Sequence, residues 1–421
     1  MLALVTAVNI VSSVDRQMVA LLLPDIGRDF ALTDTQIGQI TGLAFPIVYG
    51  VASVLVAIAA DRRNRGKLIG YSTSLFAAMT CACGLSQGFG TLFLARLGVG
   101  LGEAGTSPPS LSMISESFKG RARQLANSVF ITANPIGTLC AFLVFGNISL
   151  LYGWRVALYS AGILSSVIAM CVLLFLHDHR KEKGAAWMMS DFHGFLAAFR
   201  VPSYAWASAG AALHCICTAS NTMWLPLFLS RSLRMSGSDI AWLLGLNYGM
   251  LGLAGIGIGA MVAGPLRKRS VGAPLLIGTA ITAATALTYS YTYLTVEPIG
   301  SKIGVSITIL LASAGYGPLL AFVQDVTPRR NQAKASAALF VLMQTATGFG
   351  SLLIGLLSDA LAPLAGIDSL RYAALPVVVT SAALASICYF VAARHGVRDA
   401  AAAAAVDAAD SAAPLPAGAR S

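Results

Sequence analysis

The sequence predicts an all-α membrane protein that crosses the bilayer about twelve times, in two groups of six helices. Three observations carry this. Of 421 residues, 56% are hydrophobic and only 11% are Asp, Glu, Lys or Arg, against roughly 25% charged in an ordinary soluble domain. Apolar runs such as Ile37–Ala60, Ile303–Phe322 and Ala373–Ala393 each reach the roughly 20 residues that span a hydrocarbon core. The basic residues, finally, gather on alternate loops.

Candidate spans fall near 2–26, 35–60, 68–88, 91–116, 122–147 and 155–176, then 202–229, 239–264, 271–294, 303–325, 333–358 and 370–393. The loops after the second, fourth, sixth, eighth and tenth spans carry seventeen Lys and Arg, the opposite loops six. By the positive-inside rule the rich side is cytoplasmic. This places a multi-pass protein in the cell (inner) membrane with its C-terminus in the cytoplasm. The net charge of +10 is therefore topology rather than a nucleic-acid footprint.

Along the chain, 1–178 reads as an N-terminal six-helix bundle and 202–394 as a C-terminal one. The stretch 179–201 is a cytoplasmic linker whose part Ala185–Phe199 is either an interfacial helix or plain linker. Residues 395–421, rich in alanine, read as a disordered cytoplasmic tail. Met1 stands at the edge of the first span with no charged region before it. That is expected of a very short N-terminus or of a start codon placed too late, not of a cleaved signal peptide. A weak internal repeat supports the two halves: at an offset of 209, Glu116 meets Asp325, Arg121 meets Arg330 and Ala126 meets Ala335. Parallel repeats of this kind place a substrate site between the halves near mid-membrane.

Taken in order, the first span carries Asp15 and Arg16 and the fourth carries Arg96 and Glu103. An ionised side chain at the bilayer centre costs about 2.5–3.5 kcal/mol on insertion scales, so each needs a partner or a wet cavity. Arg96 and Glu103 are seven apart and share a helix face about 10 Å from each other. Asp15 and Arg16 are neighbours and cannot face one another, so at least one looks to another helix, the fourth span being the obvious candidate. A functional cluster and a purely structural buried network are both open at this point. The third span holds Cys81 and Cys83; all seven cysteines lie in apolar spans and read as small hydrophobes rather than disulfide or metal ligands. Asn134-Pro135-Ile136-Gly137 in the fifth span is a helix kink beside small residues. Asn134 and, in the seventh span, His214 and Asn221 are cavity candidates, though an intramembrane His equally serves helix–helix hydrogen bonding. The glycines 249, 252, 255, 257 and 259 of the eighth span read as close packing. No Gly-Lys-Ser/Thr phosphate loop occurs, which counts against an ATP-driven pump.

The loop Ala57-Ile58-Ala59-Ala60-Asp61-Arg62-Arg63-Asn64-Arg65-Gly66-Lys67 resembles the G-x-x-x-D-R-x-G-R-[KR] loop of the major facilitator superfamily. Asp61, Arg62 and Arg65 match, while Ala57 and Asn64 replace glycines. A carboxylate at a helix end meeting arginines makes a breakable clasp; the plainer reading is a topogenic basic loop. The second-half copy has Gly264 where the carboxylate would stand, so Arg267–Arg269 are expected to serve topology only. The segment Asn9-Ile10-Val11-Ser12-Ser13-Val14-Asp15-Arg16 is similar to the N-Y-x-D-R segment of Spinster-type transporters, with the asparagine three residues further away. Arg96-Leu97-Gly98-Val99-Gly100-Leu101-Gly102-Glu103-Ala104-Gly105 with Ser107-Pro108-Pro109 resembles their fourth-span signature. The C-terminal half resembles only the general superfamily pattern, through Gly315–Pro318, Gln324–Ala335 and Gly355–Asp359.

The resemblance implies a major facilitator fold and a proton-coupled secondary transporter of an amphiphilic or anionic small molecule, lysolipid- or sphingoid-like. It assigns Asp15 and Glu103 to proton coupling, Arg96 and Arg16 to charge relay or an anionic head group, and Asp61, Arg62 and Arg65 to gating. Asn134 carries a partial likeness to the G-P-containing antiporter helix. The expected partners are substrate, protons and lipid, with the chain a monomer and no cofactor or metal. An organic-anion:proton symporter is the nearest rival, since that group shares the D-R and G-x-x-E-A features. A membrane enzyme would need a ligand cluster or nucleophile–base pair at membrane depth, and neither Asp15 nor Glu103 has a His near it in sequence. A non-transporting sensor on the same fold would be expected to carry a soluble domain, for which the loops are short.

Overall fold

The computed structural model describes residues 1–60, 64–178, 198–328 and 331–412. Inside lipid every backbone N–H and C=O has to be satisfied within its segment, so apolar runs of this length become helices. No strand occurs among the described residues, and their helices form twelve units. The first six are α1 (Leu2–Asp29), α2 (Asp34–Gly38, Gln39–Ile47 and Val48–Ala60), α3 (Arg65–Leu85), α4 (Phe89–Glu103 and Ser107–Ser117), α5 (Gly120–Leu139, Cys140–Phe145 and Gly146–Tyr152) and α6 (Trp154–Phe175). The second six are α7 (Pro202–Arg231), α8 (Gly237–Arg267), α9 (Ala273–Leu294), α10 (Pro298–Asp325), α11 (Gln332–Ala365) and α12 (Ser369–Ala412).

Eight helical stretches among the described residues are long and apolar enough to cross a membrane, one of them running through α11 and α12 together. α1 falls outside that count because Asn9, Asp15, Arg16 and Gln17 dilute it, and α4 because it breaks over Ala104–Thr106. The helix ends follow local chemistry. Thr33 and Gln36 close a capping box on α2, the Asn64 side chain caps α3, and Ser236 caps α8. Each cap satisfies amides that have no partner within the helix. Short π-helical segments, Gln39–Ile47 in α2, Cys140–Phe145 in α5, Ile216–Ser220 in α7 and Asn247–Leu251 in α8, locally widen helices that meet the opposite half.

The two halves share a hydrophobic core on one side only, although α2 and α11 stay in contact as far as Tyr49 and Phe340. Away from the basic loops a single core runs through both, joining Leu23, Ile37 and Phe142 to Trp224, Phe228, Leu244 and Ile354. On the basic side the cores are separate: Val5, Ile69, Ile114 and Phe130 in the first half, Tyr204, Phe322, Leu339 and Tyr389 in the second. α2 and α11 meet backbone to backbone, so that a methyl on Gly42 would lie 2.3 Å from the Gly348 carbonyl oxygen. α5 and α8 meet at Leu139 and Gly249. Toward the basic side they part, leaving Leu125, Val129 and Ile131 on one and Ile256, Met261 and Val262 on the other exposed. The molecule is closed on its arginine-poor side and open on its basic side.

The expected disordered tail is corrected over 395–412, which continue α12 as helix to Ala412; residues 413–421 lie outside the described residues. Alanine has the lowest helix cost of any residue, and the extension is anchored. Asp399 accepts the backbone N–H of Ser203 at 2.9 Å, and Phe322 packs where any side chain on Gly396 would stand. Of the linker, Ala198–Arg200 forms one tight turn with Phe199 edge-on to Tyr204. The rest of the interfacial-helix candidate, 185–197, lies outside the described residues.

Candidate functional site

The four charges of α1 and α4 form two ion pairs, each joining the two helices. Arg96 donates to Asp15 at 2.6 Å, and Arg16 to Glu103 at 2.7 Å. Adjacent residues on α1 point to different sides of the helix, and a seven-residue step on α4 stacks its two partners on one face, so both α1 charges turn to α4. The pairs differ in environment. Asp15 and Arg96 are dry, at 2% and 4% side-chain exposure, and Asp15 also accepts the Thr80 hydroxyl at 2.7 Å. Arg16 is 23% exposed although its partner Glu103 is fully buried. Among the described residues, Glu103 Oε1 has no hydrogen-bond partner, nor has Arg96 Nε.

Side chains that composition alone does not single out complete this cluster. Phe45 and Tyr49, stacked at 5.4 Å on α2, cover the two guanidiniums: Arg96 lies 5.0 Å from the Phe45 ring centre and Arg16 5.9 Å from that of Tyr49. An aromatic face supports a cation with little hydration to lose. Arg16 also donates to the Ser13 hydroxyl at 3.2 Å, and Ser13 donates to the Asn134 side-chain oxygen at 2.7 Å. Asn134 is exposed. Close approach of α5 and α1 makes this chain possible, since a methyl on Gly137 would lie 2.6 Å from the Ile10 carbonyl oxygen. Just after Glu103 the helix breaks, and the Glu103 carbonyl takes the Thr106 hydroxyl at 2.7 Å.

Among the described residues, the second half contributes no charge to this cluster. His214 is buried on α7, its Nδ1 lacking a partner among the described residues and its ring 6.3 Å from that of Tyr389. Asn221 faces into the C-terminal bundle, where its oxygen accepts the Tyr293 hydroxyl. With Tyr248, Tyr289, Thr292 and Thr308 it lines a cavity of about 10 Å³, room for about one water molecule.

Of the basic-loop residues, Asp61 and Arg62 lie outside the described residues. Arg65 is buried and held within the N-terminal half: its guanidinium binds Asp178 at 2.8 Å and Glu116 at 2.7 Å. The expectation that Arg267–Arg269 serve topology alone is corrected for Arg267, which pairs with Asp325. The carboxylate absent at Gly264 comes instead from the end of α10. Glu116 and Asp325 occupy matching places in the repeat and each takes an arginine, although Arg65 and Arg267 do not themselves match at that offset.

On the arginine-poor side Asp34 accepts both guanidinium N–H groups of Arg231, at 2.7 and 2.8 Å, and the Ser358 hydroxyl at 2.5 Å. This joins α2 to α7 and α11 across the halves, next to the Thr41–Ser351 hydroxyl contact at 2.6 Å. The sequence signal was Asp34 in the first turn after Thr33, which reads as helix capping and hides the bond to Arg231. Nearby, Asp29 accepts from the Trp154 indole and from Arg155, which hold its carboxyl below the usual range. Arg231→Ala is expected to raise, by about fivefold, the rate at which a cysteine replacing Thr41 reacts with a membrane-impermeant maleimide from this side. The pair is half-wet, so its contribution is near the upper end of an exposed ion pair, about 1 kcal/mol. An unchanged rate would remove it from the closure.

The sequence matches the Major Facilitator Superfamily over residues 5–351. It is 29% identical over 399 residues to an MFS-type efflux pump of Mycolicibacterium smegmatis, covering 94% of this chain and 92% of the pump. It is 28% identical over 392 residues to Protein spinster homolog 1 of Homo sapiens, covering 85% of this chain and 72% of that protein. The fold matches the inward-facing, unoccupied crystal structure of a bacterial homolog to the human lysosomal transporter Spinster, with a TM-score of 0.75 and 21% identity over 95% of this chain and 96% of that one. A peptide transporter POT in complex with sulfate matches with a TM-score of 0.74 at 14% identity over 94% of each chain. At these identities the structural likenesses are of fold.

Proposed function

From the premise that this chain belongs to the major facilitator superfamily, and is a Spinster-like multi-pass membrane transporter rather than an enzyme, we propose a proton-coupled secondary transporter of an anionic amphiphile that works by alternating access. The single observation that supports this most is the Arg16–Glu103 pair, in which a partly exposed guanidinium is neutralised by a buried carboxylate with one oxygen unpartnered among the described residues.

The chemistry follows from competition. A phosphate or carboxylate head group entering from the basic side meets Arg16 first, because Arg96 is sealed behind Asp15 and Phe45. A guanidinium that turns to a substrate oxyanion leaves Glu103 buried without a countercharge. A buried carboxylate in that position neutralises by taking a proton. Substrate on Arg16 and proton on Glu103 thus accompany each other, and Asp15, released only when Arg96 shifts, is the second carboxylate of the path. The basic side is taken as cytoplasmic by the positive-inside rule, the C-terminus with it, and the chain as a monomer in the inner membrane.

The test is proton flux in proteoliposomes with a lysolipid, a sphingoid phosphate and a small aromatic carboxylate offered in turn. Proton movement evoked by the two lipid-like substrates supports the reading. Movement with the small carboxylate alone transfers it to organic-anion symport, and no movement with any of them removes the proposed substrate class.

A further inference from the structure

At the arginine-poor end of α11, Asp359 takes two backbone amides from a helix of the opposite half. Its Oδ1 accepts the backbone N–H of Asp34 at 3.0 Å and its Oδ2 that of Thr35 at 2.8 Å. These are among the first N–H groups of α2, which have no partner inside their own helix. The local cap is already used: the Thr33 hydroxyl accepts from the Gln36 N–H at 3.2 Å. The approach of the two halves is tight here, since a methyl on Gly355 would sit 2.3 Å from the Asp34 carbonyl oxygen. Such contact leaves no room for water between Asp359 and the amides that it holds.

We propose that Asp359 is a helix cap supplied to α2 by the opposite half, and that its release is a required step in opening the arginine-poor side. The proposal rests on the alternating-access reading above. A carboxylate at a helix N-terminus gains both from the N–H groups and from the aligned peptide dipoles behind them. Both bonds go to the backbone, so they do not depend on the charge of the Asp34 side chain. The joint therefore has two separable parts, the Asp34–Arg231 ion pair and the Asp359 cap. Asp359 is a positioning residue: it touches no substrate and acts on the balance between closed and open arrangements.

The test places nitroxide labels on cysteines replacing Arg28 and Leu364, exposed at the arginine-poor ends of α1 and α11. The chain is freed of its native cysteines, reconstituted in nanodiscs, and measured by pulsed electron–electron spectroscopy at pH 5 and pH 8. Asp359→Asn keeps the volume but turns one acceptor into a donor. It is expected to raise the ratio of long to short distances by a factor on the order of ten, the scale of one lost hydrogen bond to a charged group. The same factor is expected on an Arg231→Ala background. Should Asp359→Asn not fold, Thr35→Pro removes one of the two donors at a first-turn position where proline is tolerated, and a shift in the same direction is expected. An unchanged ratio in a protein whose wild type interconverts overturns the proposal and leaves the transport reading intact. A shift that vanishes once Arg231 is removed also overturns it, because Asp359 would then act only through the ion pair. A wild type fixed at one distance at both pH values sinks alternating access and the proposal together.

Discussion

Replacing Glu103 with glutamine is expected to leave substrate exchange across the membrane but to abolish its dependence on a proton gradient. Glutamine matches the volume of a fully buried side chain and still offers Arg16 an oxygen, so neither packing nor the first hydrogen bond is lost. What it cannot do is bind and release a proton. With one proton moved per substrate, a gradient of two pH units supports up to about a hundredfold accumulation, at 1.4 kcal/mol for each tenfold. In Glu103→Gln proteoliposomes the accumulation ratio is expected near one, while counterflow of labelled against unlabelled substrate continues. Arg16→Ala should fail in both assays, because it removes the head-group contact as well as the partner of Glu103. If Glu103→Gln accumulates substrate as the wild type does, the carboxylate is not the coupling group.

How much of this was legible in the sequence depends on what each residue had to satisfy. The α1–α4 cluster was visible because an unpaired charge inside lipid is expensive, and four charges in two spans left few arrangements. Which acid met which base was not visible. Arg96 and Glu103 share a face of α4, but the choice between Asp15–Arg96 and Arg16–Glu103 depends on the rotation of α1 and on Thr80, Phe45 and Tyr49, brought in by other helices. The repeat pointed to Glu116 and Asp325 as equivalent, yet Gly264 made the second clasp look empty, because sequence comparison seeks the carboxylate in the same loop. The structure supplies it from α10. The closure of the arginine-poor side was missed for a related reason: Asp34, Arg231 and Asp359 stand at helix ends, where sequence reasoning explains polar residues by capping and topology. In the tail, composition pointed to solvated chain, but the alanine stretch is long enough to extend α12, and Asp399 ties it to α7.

The second large effect is expected on stability, at the inner pair. Arg96→Ala leaves Asp15 at 2% side-chain exposure with only the Thr80 hydroxyl, and removes the cation lying over Phe45. Breaking a buried ion pair from one side costs about 3–5 kcal/mol, a large share of the stability of any domain. The thermal midpoint of solubilised Arg96→Ala is expected to fall by on the order of 10 °C, and Asp15→Ala to do the same by stranding Arg96. The double variant Asp15→Leu/Arg96→Met should recover most of that loss, since replacing both partners with apolar groups of similar volume is often neutral or stabilising. Additive losses would mean instead that each residue is held by something other than its partner, and would overturn the pairing. Proton-driven accumulation in the recovered double variant then assigns Asp15 its role. Accumulation at the wild-type ratio makes the Asp15–Arg96 pair a fixed staple that holds α1 and α4 in register for Arg16 and Glu103. Its loss in a stable protein makes Asp15 a second proton site, opened only when Arg96 moves.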